Sequence, residues 1–250
     1  VRIDHAPPDA PAPFRQQALD VIGHVHWVPA WGRTRIEAAV KGRPDWCISR
    51  QRAWGVPIPA FSDPQGNPIL DARIVRRVAD LVARHGSQIW FEQTAAELWP
   101  QVKPANWTGP DPVAKMADTL DVWIDSGSSS RSVLMQRPEL QQPDSARFPH
   151  PWQADLYLEG SDQHRGWFQS SLLLALAANG AAPFRTVLTH GFMVDADREK
   201  ISKSKQSQGG YEKPQNAEAY VQKWGADILR LWVTSQDFSS DVVVSEDRLA

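Results

Sequence analysis

Between Asp155 and Thr189 the chain reads as strand, glycine turn, helix, strand, and no other feature of the sequence constrains its fold as tightly. Leu156-Tyr157-Leu158 is a short apolar strand, followed by Glu159-Gly160-Ser161-Asp162 as a loop. A helix is expected from about Arg165 to Ala178, stopped at Asn179-Gly180, where glycine accepts the left-handed turn that ends a helix. Val187-Leu188-Thr189 reads as a second strand. Strands joined by a helix form a βαβ unit, which makes them parallel neighbours in one sheet. The expected class is therefore α/β. Ligands of such sheets bind beyond the carboxyl ends of the strands. That places Glu159, Gly160, Ser161, Asp162, Gln163 and His164 beside His190 and Gly191 at one candidate site.

Composition narrows what that site can serve. The 250 residues carry 27 Lys and Arg against 29 Asp and Glu, so there is no overall basic footprint for nucleic acid, although a local basic groove remains compatible. The longest purely apolar run, residues 172–178, falls far short of the ~20 residues of a membrane span. A single cysteine, Cys47, rules out a disulfide framework or a Cys-rich zinc site and fits a reducing compartment. With no apolar stretch at the first residues, a cytoplasmic location is the expectation. The 12 tryptophans are unusually many, and such flat side chains line pockets as readily as they fill cores.

The rest of the chain is organised around this unit. Residues 1–14 are rich in Pro and Ala and read as a linker or the end of a preceding domain. Pro64, Gly66 and Pro68 mark a turn, and Ile74, Val75, Val78, Leu81 and Val82 follow at helical spacing with Gly86 as the stop. A loop punctuated by Pro100, Pro104, Pro110 and Pro112 runs on to Asp118, so this middle section reads as an inserted connector, not a core. Residues 217–235 place Val221, Trp224, Ile228, Leu231 and Trp232 on one helical face, bent near Gly225.

Three constellations have chemical potential, each with a plain structural alternative. In residues 159–164, Gly160 lets backbone approach a ligand and the carboxylates suit ribose hydroxyls or an ammonium group; equally, Ser161 or Asp162 only caps the next helix. Lys200-Ile201-Ser202-Lys203-Ser204 offers two mobile cations for a polyphosphate, or is a solvated loop. Trp123 and Trp167 suit the wall of an apolar side-chain pocket, or fill a core. Gly23-His24-Val25-His26 lacks a carboxylate or cysteine at ligand spacing and reads as a strand or loop with two surface histidines.

Taken together, Asp45-Trp46-Cys47-Ile48-Ser49-Arg50-Gln51-Arg52, Asp121-Val122-Trp123-Ile124-Asp125-Ser126-Gly127, residues 159–168 and residues 200–204 resemble the bacterial-type isoleucyl-tRNA synthetases, of the class I aminoacyl-tRNA synthetases. The resemblance covers nearly the whole chain. It implies the second half of a Rossmann-like parallel-sheet catalytic domain with an inserted connector and the start of a helical stem-contact region. The implied boundaries are 1–44, the end of an editing insertion and linker; 45–60, the return into the catalytic domain; 61–118, the connector; 119–205, the second half of the nucleotide-binding domain; and 206–250, the stem-contact region.

The resemblance further implies roles. Glu159, Gly160, Asp162 and Gln163 hold the aminoacyl-adenylate, and Trp167 walls the isoleucine side-chain pocket, with Trp123 facing the same region. His190 and Gly191 lie near the adenine. Lys200, Ile201, Ser202, Lys203 and Ser204 match the KMSKS loop that binds ATP, Lys200 and Lys203 being its catalytic lysines and Ile201 replacing the usual Met. Substrates are isoleucine, ATP with Mg2+ and tRNA(Ile). The whole enzyme is expected to be a monomer without membrane attachment, with zinc only in a C-terminal part outside this chain. The HIGH-type ATP motif does not occur in this sequence, so the chain is expected to be an interior portion, incomplete for catalysis by itself. Alternatives are a free-standing synthetase-like paralogue that binds nucleotide or tRNA, and an unrelated nucleotidyl transferase.

Overall fold

The computed structural model describes residues 1–6, 10–141, 150–195, 198, 201 and 217–244. In chain order, α1 (Phe14–Ile22), β1 (His26–Val28) and α2 (Trp31–Lys41) come first. They precede β2 (Ser49–Arg50), β3 (Phe61–Ser62), β4 (Pro68–Ile69), α3 (Ala72–His85), α4 (Ile89–Glu92), α5 (Ala95–Val102), β5 (Ala114–Lys115) and β6 (Thr119–Leu120). Next are α6 (Val122–Gly127), α7 (Ser129–Ser132) and β7 (Ala154–Gly160). A 3-10 turn (Ser161–His164), α8 (Trp167–Asn179), β8 (Phe184–His190) and β9 (Met193–Val194) follow. Last come α9 (Ala217–Trp224), α10 (Ala226–Thr234) and β10 (Val242–Val243). The chain divides into two compact units, Asp4–Arg43 with Ser129–Ala250, and Val1–Ile3 with Pro44–Ser128.

The larger unit is built on a parallel sheet. β7 and β8 run parallel from Ala154↔Phe184 to Gly160↔His190, with α8 as the crossover. α8 is apolar on nearly every side, burying Phe168, Leu172, Leu173, Ala175 and Leu176, and it packs against α1 and α2. It ends where expected, on Gly180 at φ 73°, a conformation glycine adopts without a Cβ clash. Trp27, Val187 and Tyr157 are register neighbours on one sheet face and all are buried. Leu156 and Leu158, on the other face of β7, are exposed.

β1 adds a third strand to this sheet. It pairs in parallel with β8, Trp27↔Val187, so the sheet order is β1-β8-β7. Residues Asp4–Arg43 group with the sheet. A strand of three residues has too little alternation to announce itself. Arg15 ties the segment together, pairing with Asp4 at 2.7 Å and donating to the Val40 and Arg43 carbonyls at the end of α2.

In the smaller unit the middle section packs about a core of its own. β3 pairs antiparallel with both β4 and β5. Above them Phe61, Ile74, Val78, Leu81, Trp90, Leu98, Trp99 and Val102 are buried together, with Phe61 edge-on to Trp90 at 5.2 Å. The stripe on α3 and its stop at Gly86 (φ 82°) are as the spacing predicts. The prolines hid the rest: α5 contains Pro100 yet starts with a full Thr94–Glu97 capping box.

In the same unit β2 and β6 pair antiparallel, Ser49↔Leu120. Beside them the buried Asp121 carboxylate accepts from Trp46 Nε1 at 2.9 Å, Arg50 Nη2 at 2.6 Å and the Trp123 amide at 3.1 Å. The last of these caps α6. Asp121→Ala leaves the buried Trp46 N–H and the half-exposed Arg50 without their acceptor. It is expected to destabilise the protein by about 2–3 kcal/mol, and Arg50→Ala by about 1 kcal/mol; urea unfolding followed by tryptophan fluorescence measures both.

Candidate active site

Because the three strands are parallel, their carboxyl ends share one edge, and the register makes Gly160 and His190 direct partners there. Residues 159–164 and 190–191, brought together by pattern alone, are neighbours in space. Glu159 and Asp162 are exposed, and Gln163 and His190 half-buried. The space at Gly160 is tight: a Cβ there would stand 3.0 Å from Asp162 Oδ1 and 3.2 Å from the Phe192 ring.

Asp162 does not cap α8, and neither does Ser161. Gln163 does this work, its Oε1 accepting from the Trp167 amide at 2.8 Å. The Gln163 NH2 makes no hydrogen bond among the described residues. Trp167, half-buried, stacks on Tyr157 with ring centroids 4.1 Å apart and planes 6° from parallel. Burial pushes the Tyr157 phenol above its usual range and keeps it neutral. Trp167 is thus gripped through its backbone and its ring, a rigid flat surface next to the strand-end turn. Trp123 lies in the smaller unit, on the first turn of α6, and is exposed.

Beyond His190 the chain is zipped to residues 238–244. Gly191 donates to the Phe238 carbonyl at 2.8 Å, Phe192 to Asp241 Oδ1 at 2.7 Å, and β9 pairs in parallel with β10. A Cβ on Gly191 would fall 2.1 Å from the Ser240 carbonyl oxygen, so this glycine is where two backbones touch. A cavity of about 210 Å³ opens beside it, walled by His190, Phe192, Trp232, Phe238 and Val242. Ile201 packs on the cluster of Tyr220, Trp232 and Val244, so Trp232 serves both the cavity and the residue between the two loop lysines. Lys200, Ser202, Lys203 and Ser204 lie outside the described residues.

The family model described as tRNA synthetases class I (I, L, M and V) matches residues 7–245. The chain belongs to that family. Isoleucine–tRNA ligase of Bacillus cereus (strain AH187) is 47% identical over 236 residues, covering 94% of this chain and 24% of the relative. The isoleucine–tRNA ligase of Bacillus anthracis (strain A0248) is 48% identical over 238 residues, with the same coverage. This class I chain therefore spans about a quarter of the length of the curated relatives it matches. Methionyl-tRNA synthetase of Mycobacterium tuberculosis, solved with methionyl-adenylate, superposes with TM-score 0.53 at 20% identity. That match covers 94% of this chain and 34% of the other and shows a shared fold.

Two residues at this edge of the class I domain had no role of their own in the sequence reading, His164 being named there only as the end of the 159–164 segment. His164 is fully buried, its ring 5.8 Å from Trp31, 6.2 Å from Trp27 and 5.4 Å from Phe168. Trp31 opens α2 directly after β1 and is partly exposed. Trp31 has no local signal, since it acquires its place through the pairing of β1. His24 and His26 are exposed, and among the described residues no group of three His, Cys, Asp or Glu is placed to hold a metal. No helix among the described residues is long and apolar enough to cross a membrane.

Gly191→Ala must displace the Ser240 backbone, and is expected to cost about 1–3 kcal/mol and to speed amide exchange in β9 and β10; native-state hydrogen exchange reads this directly. His164 gives a pH signature. Burial lowers its pKa from the ordinary 6.5; the Ser161 carbonyl opposes this, the Arg35 charge adds to it and the Asp162 charge opposes it. The unfolded chain then takes up a proton that the folded one refuses. Stability is held above pH 6.5 and lost as pH falls below it. Denaturant midpoints measured from about pH 7.5 to 5.5 are expected to fall, and to fall less in His164→Asn.

Proposed function

We propose that this chain forms part of an isoleucine–tRNA ligase and supplies one side of its aminoacyl-adenylate site. One observation carries the reading. The residues matched to adenylate binding, Glu159, Gly160, Asp162 and Gln163, meet His190 and Gly191 at the sheet edge of a chain 47% identical to isoleucine–tRNA ligases. A carboxylate oxygen of isoleucine attacks the α-phosphate of ATP, bound as its magnesium complex. The bond to the pyrophosphate oxygen breaks and isoleucyl-adenylate forms. A hydroxyl of the terminal ribose of tRNA(Ile) then takes the acyl group and AMP leaves. No covalent enzyme intermediate is needed, so catalysis is positioning and electrostatic stabilisation.

Roles follow from the chemistry of the side chains. Exposed Asp162 and the NH2 of Gln163 are an acceptor and a donor beside Gly160, suited to ribose and aminoacyl groups. Trp167, rigid on Tyr157, offers a branched apolar side chain a flat wall. The cavity beside His190 and Gly191 suits a planar base. Lys200 and Lys203 meet the phosphates, and Ser202 and Ser204 line the same loop; these four assignments rest on the motif. Trp123 is assigned to the isoleucine pocket on the same ground. An apolar pocket separates isoleucine from valine by only about 1–3 kcal/mol. We assign the enzyme to the cytoplasm, as a monomer when whole.

The test is calorimetric binding of a non-hydrolysable isoleucyl-adenylate analogue to the complete polypeptide that carries these residues. Tighter binding of the isoleucyl than of the methionyl analogue is expected, with about tenfold loss in Asp162→Ala. Equal affinity for both analogues overturns the isoleucine assignment, and unchanged affinity in Asp162→Ala overturns the adenylate contact. Lys203→Ala is expected to slow ATP–pyrophosphate exchange by about a hundredfold or more with little change in KM for isoleucine. The 250-residue chain by itself is expected to show no exchange.

A further inference from the structure

His164 stands where three loops of the sheet edge converge. It closes the 3-10 turn after β7, and its Nδ1 lies 2.9 Å from the Ser161 carbonyl oxygen. A carbonyl oxygen only accepts, so Nδ1 carries the proton and Nε2 presents a lone pair. That Nε2 is buried and makes no hydrogen bond among the described residues. It faces Gly32, in the first turn of α2: a Cβ built there would sit 3.3 Å from Nε2 and 3.7 Å from Thr189 Oγ1. Thr189 belongs to β8, pairs in register with Glu159, and has a fully buried hydroxyl that likewise makes no hydrogen bond among the described residues. An acceptor and a donor, both buried, thus flank the small gap that only a glycine leaves. Unpaired, the two together would cost several kcal/mol. Burial in an aromatic cage of Trp27, Trp31 and Phe168 keeps the imidazole uncharged, as this pairing requires.

We infer that His164 is a positioning residue of the strand-end site, holding the Ser161 carbonyl through Nδ1–H and accepting at Nε2 from one water that bridges to the Thr189 hydroxyl across the gap at Gly32. The consequence is geometric. Asp162 and Gln163 stand between the two ends of the Ser161–His164 clamp, so their orientation follows from it, and through Gln163 so does that of Trp167. The hydroxyl contact ties this turn to the end of β8, where His190 follows Thr189. The inference rests on the adenylate-site reading, since only that reading gives the orientation of Asp162 and Gln163 a ligand to act on.

The test uses the complete polypeptide and the isoleucyl-adenylate analogue, with Asp162→Ala as the control for the underlying reading. His164→Phe keeps the packing and loses both nitrogens; His164→Asn keeps a donor at the Nδ1 position. About tenfold weaker binding is expected for His164→Phe, with His164→Asn recovering most of it although both variants lose thermal stability alike. Binding by His164→Phe equal to the parent, alongside a weakened Asp162→Ala, overturns the inference; an unaffected Asp162→Ala overturns the adenylate reading instead. Should His164→Phe not fold, 1H–15N correlation of the unsubstituted protein at neutral pH decides. The His164 ring is expected as the Nδ1–H tautomer with Nε2 bare, and an imidazolium or an Nε2–H tautomer overturns the proposal. Thr189→Val is expected to shift that bare Nε2 resonance and to weaken analogue binding severalfold, whereas an unmoved resonance overturns the threonine contact.

Discussion

The parallel pairing of β7 with β8 is the constraint from which the site follows. Parallel neighbours need a crossover, and α8 supplies it as a helix buried on nearly all sides, which locks the two strands into one register. In that register Gly160 and His190 are partners, and a slip by one residue would turn Tyr157 and Val187 out of the core. Crowding at the same edge then selects the glycines. Gly160 makes room for Asp162 and Phe192, Gly32 for His164, and Gly191 for the Ser240 backbone. Small residues appear where three loops and a returning segment meet, making room for side chains at Gly160 and Gly32 and for a second backbone at Gly191.

A second point of convergence, in the smaller unit, is a buried charge. Asp121 is satisfied by an indole N–H, a guanidinium and a backbone amide, which together offset the cost of taking a carboxylate out of water. Trp46 and Arg50 lie 75 and 71 residues from it in sequence. The Trp46 and Arg50 motif and the Trp123 motif are therefore halves of one hydrogen-bonded structure, and their residue types make structural sense before any ligand is considered.

Much of the larger unit was legible because its information is local. The apolar triplet of β7, the leucine- and alanine-rich helix α8, the stop at Gly180 and the break between α9 and α10 at Gly225 each follow from neighbours within a few residues. The stripe and stop of α3 are of the same kind. What escaped was non-local. β1 is three residues long and exists as a strand only because β8 offers it a ladder. The core of the middle section draws Phe61, Trp90 and Trp99 from segments that prolines make look like connectors. The cap of α8 came from Gln163, not from the better capping residue Asp162, because the intervening 3-10 turn rotates Gln163 onto the Trp167 amide.

Sequence alone was enough for the class of the fold, the parallel βαβ unit and the strand edge where residues 159–164 meet His190 and Gly191, and the resemblance of its motifs named the family. Those conclusions need only periodicity, turn chemistry and motif order, all carried by residues close together along the chain. Tertiary structure alone decided that residues Asp4–Arg43 complete the sheet, that the middle section folds about its own aromatic core, and that His164, Thr189 and Gly32 meet. Each of these depends on contacts between distant segments, where burial and register, not local preference, choose the partner.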